Sequence, residues 1–194
     1  MWDKMILGYD MYHIVLWFLA YSILGWVVES VYMSICNRKL TNRGFSRGPI
    51  CPIYGVGALT VYLLLSPYSH NKFLLFLLGA VLATMIEWIT ARIMERIFGE
   101  IWWDYTDKPF NYKGILCLES TLAWGLYTVL LFGVLHGFVV RIVNAIPFRI
   151  GRIAGTLLII LYLMDFMWTV VREKREKQKI DGAMESENKL ENNS

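Results

Sequence analysis

Five apolar stretches dominate this chain, near residues 11–36, 50–66, 72–98, 115–137 and 148–171. A helix needs about 20 apolar residues to cross a hydrocarbon core of about 30 Å, and only helices and closed barrels satisfy their backbone polar groups there. The stretches approach or exceed that length. The sequence therefore predicts an all-α, polytopic membrane helix bundle of about five transmembrane helices, filling residues 1–171. Composition agrees: 56% of the 194 residues are hydrophobic and 18% are charged, against about 25% charged in an ordinary soluble domain. The first stretch outlasts the roughly 7–15 residue apolar region of a cleavable leader, and no small-residue cleavage site ends it, so it is expected to remain as the first span.

The second stretch is short and opens Gly48-Pro49-Ile50-Cys51-Pro52. Two prolines there suit a helix start or a re-entrant turn better than a helix interior. Beyond Arg172 the chain turns polar, and residues 172–194 read as a charged cytoplasmic tail: a helix extension that frays into partial disorder. Lys and Arg crowd the loop after the first span, the loop after the third, and the tail. The positive-inside rule then places the N-terminus outside and the C-terminus in the cytoplasm of a multi-pass cell-membrane protein. Arg141, Arg149 and Arg152 locally oppose that bias. The net charge of +3 is modest and its carriers flank apolar segments, which points to a lipid bilayer as the partner and not to nucleic acid.

Four acids stand inside these stretches: Glu29, Glu87, Glu119 and Asp165, each with a Trp no more than five residues away. A charge at the bilayer centre costs about 2.5–3.5 kcal/mol on insertion scales, so such groups face a protein interior or a wet path. Glu87 is followed by Arg92 and Arg96, which can snorkel to the interface. Glu119 lies one turn into its span and reads as interfacial. Glu29 and Asp165 read as deeper, and Asp165 has no basic residue within a helical turn. The four are pathway candidates, with interhelical hydrogen bonding as the competing role.

Two loops are dense in residues that shape backbone. In the first, Arg43, Arg47, Gly48, Pro49, Cys51, Pro52 and Tyr54 form a compact segment at the membrane edge, where the arginines could hold an anion. In the second, Trp103 and Tyr105 suit an aromatic belt, while Asp104, Asn111, Gly114 and Cys117 suit turns and caps. Oxygen spacing there does not fit a metal, so neither a metal nor a cofactor is expected. Cys36, Cys51 and Cys117 form no CxxC pair and read as buried apolar residues. Gly133 with Gly137, and Gly151 with Gly155, are small-xxx-small pairs that let helices approach, and His136 reads as an interfacial hydrogen bonder. A phosphate-binding loop, GxSxG and HExxH are all missing, so the chain is not expected to hydrolyse ATP or to carry ordinary hydrolase chemistry.

A faint tandem repeat of two-helix units is visible: Glu29, loop, Gly48 and Cys51, then Glu87, longer loop, Gly114 and Cys117. At these same places the sequence resembles the ABC-transporter type IV permease family of CmpB-related bacterial integral membrane proteins. The matching residues are Gly25-Trp26 with Glu29, Gly44-Phe45, Gly48 through Gly55, Trp103-Asp104-Tyr105, Pro109-Phe110-Asn111, Gly114, Cys117-Leu118 and Trp124-Gly125, within residues 14–170. The resemblance implies a membrane-embedded transport subunit of unknown substrate that depends on a separate ATPase subunit. Five spans are few, so a homo-oligomer would be needed to enclose a path. Two other readings stay open: a membrane-embedded enzyme acting on lipid through a carboxylate and the Arg43/Arg47 site, and a non-transporting scaffold or regulator.

Overall fold

The computed structural model describes residue 2, residues 4–42 and residues 48–191, excepting the side chains of 176, 177 and 180–191. A two-residue hairpin, β1 (Met5–Ile6) and β2 (Tyr9–Asp10), leads into α1 (Met11–Asn37). It is followed by α2 (Pro52–Leu65), α3 (Lys72–Phe98), α4 (Leu118–Leu130), α5 (His136–Ala145) and α6 (Phe148–Glu191). The result is an all-α membrane helix bundle with four helices long and apolar enough to cross a bilayer, plus the shorter α2.

Helix ends follow local chemistry. Asp10 caps α1 by accepting the His13 amide at 3.0 Å, and Asn71 caps α3 by accepting that of Leu74 at 3.0 Å. Gly99, with φ +80°, closes α3 in the left-handed conformation that glycine adopts at least cost. Cys117 caps α4 in a reciprocal box with Ser120. Pro52 occupies the first turn of α2, where its missing amide costs nothing.

One end differs from expectation. The fourth span does not stop near 137, because α4 continues through a π-helical turn (Leu131–Leu135) into α5, giving 28 residues from Leu118 to Ala145. Past 171, α6 continues as a helix extension, its backbone helical to Glu191, and Arg172 pairs with Glu173 at 2.7 Å. The polar run after Arg172 holds good helix formers and no proline, so nothing local stops the helix.

α1 packs antiparallel on α2, and α3 on α4, by the same device. A glycine on each helix lets the partner's side chain lie against bare backbone: Gly25 under the Tyr54 ring and Gly55 against Phe18, then Gly79 under Thr128 and Gly125 against Phe76. Phe18 and Phe76 each stand eleven residues before their glutamate, Glu29 or Glu87. α6 lies on α1 through Gly151 against Tyr12 and Gly155 against Leu16, so that small-xxx-small pair works within the chain. Gly133 and Gly137 face open space. Ahead of α2, Ile50 and Cys51 are buried, and the Cys51 amide donates to the Ser22 carbonyl at 3.0 Å. Chain that is neither helix nor barrel is tolerated at this depth because it is buried against α1.

Candidate functional site

The acids in the apolar stretches are held by partners that come from elsewhere in the chain. Glu87 is the most buried, 4% exposed. Its Oε1 accepts from the Tyr105 hydroxyl at 3.1 Å, and its Oε2 accepts from the Trp124 indole at 3.0 Å and faces the Ser120 hydroxyl at 3.5 Å. Ser120 also lies 3.0 Å from the Cys117 carbonyl, so its single hydrogen is shared between two acceptors. Arg92, one turn further along α3, pairs with Glu95 and lies over the Trp88 ring at 5.7 Å. One carboxylate thus ties together α3, the loop after it and α4.

Glu29 and Asp165, both half-buried, do the same work for the first loop. Asp165 Oδ2 accepts the Gly48 backbone amide at 2.8 Å, joining α6 to the chain entering α2. A side chain at Gly48 would crowd that oxygen. Glu29 Oε2 faces the Cys51 thiol at 3.9 Å, and the Tyr54 phenol also reaches Glu29. Tyr54 stands three residues after Cys51, as Ser120 does after Cys117, so both glutamates meet the first turn of the following helix. The halves touch where the Tyr54 and Trp124 rings approach to 5.8 Å. Glu119 is different: its exposed carboxylate pairs with Lys108 at 2.8 Å, outside this interior group.

The loop 99–117 folds on its own short polar residues. Asp104 Oδ1 accepts the Thr106 amide at 2.8 Å and also the Thr106 hydroxyl. Asn111 donates to the carbonyls of Thr106 at 3.0 Å and Lys108 at 2.9 Å, and accepts the Gly114 amide at 3.2 Å. Gly114, at φ +68°, leaves no room for a side chain beside Asp104 and Thr106. Trp103 donates to the Ile115 carbonyl at 2.9 Å, pinning the loop to its return strand. The Thr106 hydroxyl and then its amide hold the Asp104 carboxyl below the usual carboxylate range. Burial, then the Glu87 charge, pushes the Tyr105 phenol up, and Glu119 raises Lys108.

Among the expected site residues, Glu29, Cys51 and Tyr54 come together, as do Glu87, Tyr105 and Cys117. Pro49 is exposed. Arg43 and Arg47 lie outside the described residues, and with them the anion site they might form. Cys51 and Cys117 are buried as expected, whereas Cys36 is exposed at the last turn of α1. Sequence reasoning missed Ser120 and Trp124 as partners of Glu87, and Trp26, whose indole donates to Asn42 at 2.6 Å. Ser120 was within reach, since its spacing from Cys117 is that of a capping box. Among the described residues, no group of three or more potential metal ligands gathers.

Four membrane-length apolar helices, with two loops anchored at one end on buried or half-buried carboxylates, define a multi-pass helical membrane protein. More narrowly, the chain belongs to the family described as "Putative ABC-transporter type IV", which matches residues 16–170. No curated protein and no solved structure matches it.

Proposed function

We propose that this chain is the permease-type membrane subunit of an ABC-type transporter, working with a separate ATPase that docks on the end carrying residues 48–51 and the loop 99–117. The observation that carries the reading is the anchoring of both loops: Asp165 holds Gly48, Glu29 meets Cys51 and Tyr54, and Glu87 holds Tyr105 and Trp124. An ATPase can drive helices only through a surface that moves with them, and a loop fastened inside the bundle is such a surface. Family membership supports the transport assignment. The Lys and Arg bias supports placing this end in the cytoplasm and the N-terminus outside.

Two or more copies would enclose a path that one bundle is too small to form. Because the acids already have partners, a scaffold without transport is the second reading, and one experiment separates the two. Purification from native membranes in mild detergent is expected to recover a nucleotide-binding ATPase with the wild-type chain. Tyr105→Ala, which frees the second loop from Glu87, should weaken that recovery several-fold. Repeated recovery of the intact wild-type chain with no ATPase would overturn the reading.

A further inference from the structure

His136 stands where three features coincide. The turn before it, Leu131–Leu135, is π-helical and closes with the His136 amide donating to the Leu131 carbonyl. Wide turns of this kind inside α-helices concentrate at functional sites, since each changes the register of the side chains that follow. The imidazole lies within an aromatic enclosure. It stacks on Tyr62 with ring centres 3.6 Å apart, meets Trp17 edge-on at 4.9 Å, and places Nδ1 2.6 Å from the Tyr21 hydroxyl. Two other helices, α1 and α2, therefore converge on one titratable ring of α5.

We propose that His136 is a proton-binding site within the membrane, and that its protonation reverses the hydrogen bond tying α1 to α5. The site requires neither transport nor an ATPase, so it stands apart from the reading above. With Nδ1 unprotonated, the Tyr21 hydroxyl donates to it. Once both ring nitrogens carry hydrogen, Nδ1 donates to the Tyr21 oxygen, and the phenolic hydrogen must turn to another acceptor. The groups that face the ring are Tyr21 and Trp17 from α1 and Tyr62 from α2, with the Tyr9 hydroxyl 3.3 Å behind Tyr62. These are neutral aromatic rings whose faces attract a cation, so the added charge has partners without a carboxylate.

At the end opposite the two loops, a cavity of about 580 Å³ is lined by Trp2, Asp10, Tyr12, His13, Asn144 and Phe148 among others. There His13 places Nδ1 2.7 Å from Asp10 and Nε2 3.1 Å from Asn144. Its ring lies 5.7 Å from that of Trp17, the ring that covers His136. One turn of α1 thus separates the cavity-lining His13 from Trp17, whose ring meets that of His136.

The test is a pH titration of the full chain in phospholipid nanodiscs with nitrogen-15 histidine, read by magnetic resonance. His13, His70 and His136 are the three histidines, each assigned by its loss on substitution with Gln. The His136 signals are expected to pass from the neutral to the protonated form as pH is lowered over the range in which the chain stays folded. Tyr21→Phe, which keeps the ring and removes the hydroxyl, is expected to move that midpoint by about half a pH unit or more. Should Tyr21→Phe fail to fold, Trp17→Phe takes its place with the same two readings. A His136 that keeps one protonation state throughout overturns the proposal, and so does a midpoint that the substitution leaves in place.

Discussion

Glu87 carries more of the architecture than any other polar side chain described. Its two oxygens take hydrogen bonds from a loop residue and from the neighbouring helix, in a site where Glu87 is 4% exposed. A buried donor stripped of its acceptor costs about 1–3 kcal/mol. Interhelical hydrogen bonds in membranes measure less, about 0.6 kcal/mol on average, since the unfolded chain also finds partners. Glu87→Ala strands Tyr105 and Trp124 together and should therefore destabilise by about 1–3 kcal/mol. Glu119→Ala, at an exposed pair, should stay within about 1 kcal/mol. Thermal unfolding of both variants in nanodiscs checks the order, and equal losses would remove Glu87 from its anchoring role. The sequence places four acids in apolar stretches and ranks Glu29 and Asp165 as the deeper pair, whereas Glu87 is the most buried within the bundle. Arg92 and Arg96 follow Glu87 on its own helix and seem to excuse it, while its true partners lie 18 and 37 residues away. Local spacing cannot encode contacts that depend on how a loop returns.

At the scale of elements, the two hairpins, α1 with α2 and α3 with α4, share a plan: a glycine under the partner's side chain, and a glutamate at the first turn of the following helix. Glu29, Glu87, Cys51 and Cys117 make that plan legible in the chain, because each pair recurs in the same order. The extension of α4 into α5 is less legible, since polar Arg141 and Asn144 weaken the apolar signal at helical positions that bury Val139 and Val143 on the other face. The loop 99–117 was readable for a different reason. Asp104 and Asn111 act on backbone within five residues of themselves, so their chemistry is local, while Gly114 closes the loop against Asp104, Tyr105 and Thr106. Its pH limits follow from the same groups. The depressed Asp104 carboxyl contributes order that is present above the ordinary carboxylate range and lost as pH falls through its lowered value. The raised Lys108 and Tyr105 contribute order that is complete below their ordinary values and lost as pH climbs through the raised ones. Near-ultraviolet circular dichroism of Trp102 and Trp103 should therefore stay level between those limits. Asp104→Asn keeps the accepting oxygen without titrating, and should remove the acid change. An acid change that persists in that variant would place its origin elsewhere.

For the whole molecule, everything proposed about docking depends on which face the loops occupy, and the cysteines offer a direct probe. Cys36 is exposed at the last turn of α1, two residues before the basic pair Arg38 and Lys39, whereas Cys51 and Cys117 are buried at the starts of α2 and α4. A thiol reacts only where a reagent can reach it, so the native chain carries one reactive site at the loop-bearing end. The orientation proposed above puts that end in the cytoplasm. A maleimide that cannot cross membranes should then label inside-out vesicles and leave right-side-out vesicles largely unlabelled, with Cys36→Ser abolishing the signal. Labelling from the outer face alone would invert the topology, and a cytoplasmic ATPase could not then dock on residues 48–51 and the loop 99–117. The same inversion would turn the cavity beside Asp10 and His13 inward, so that His136 would be reached from the cytoplasm.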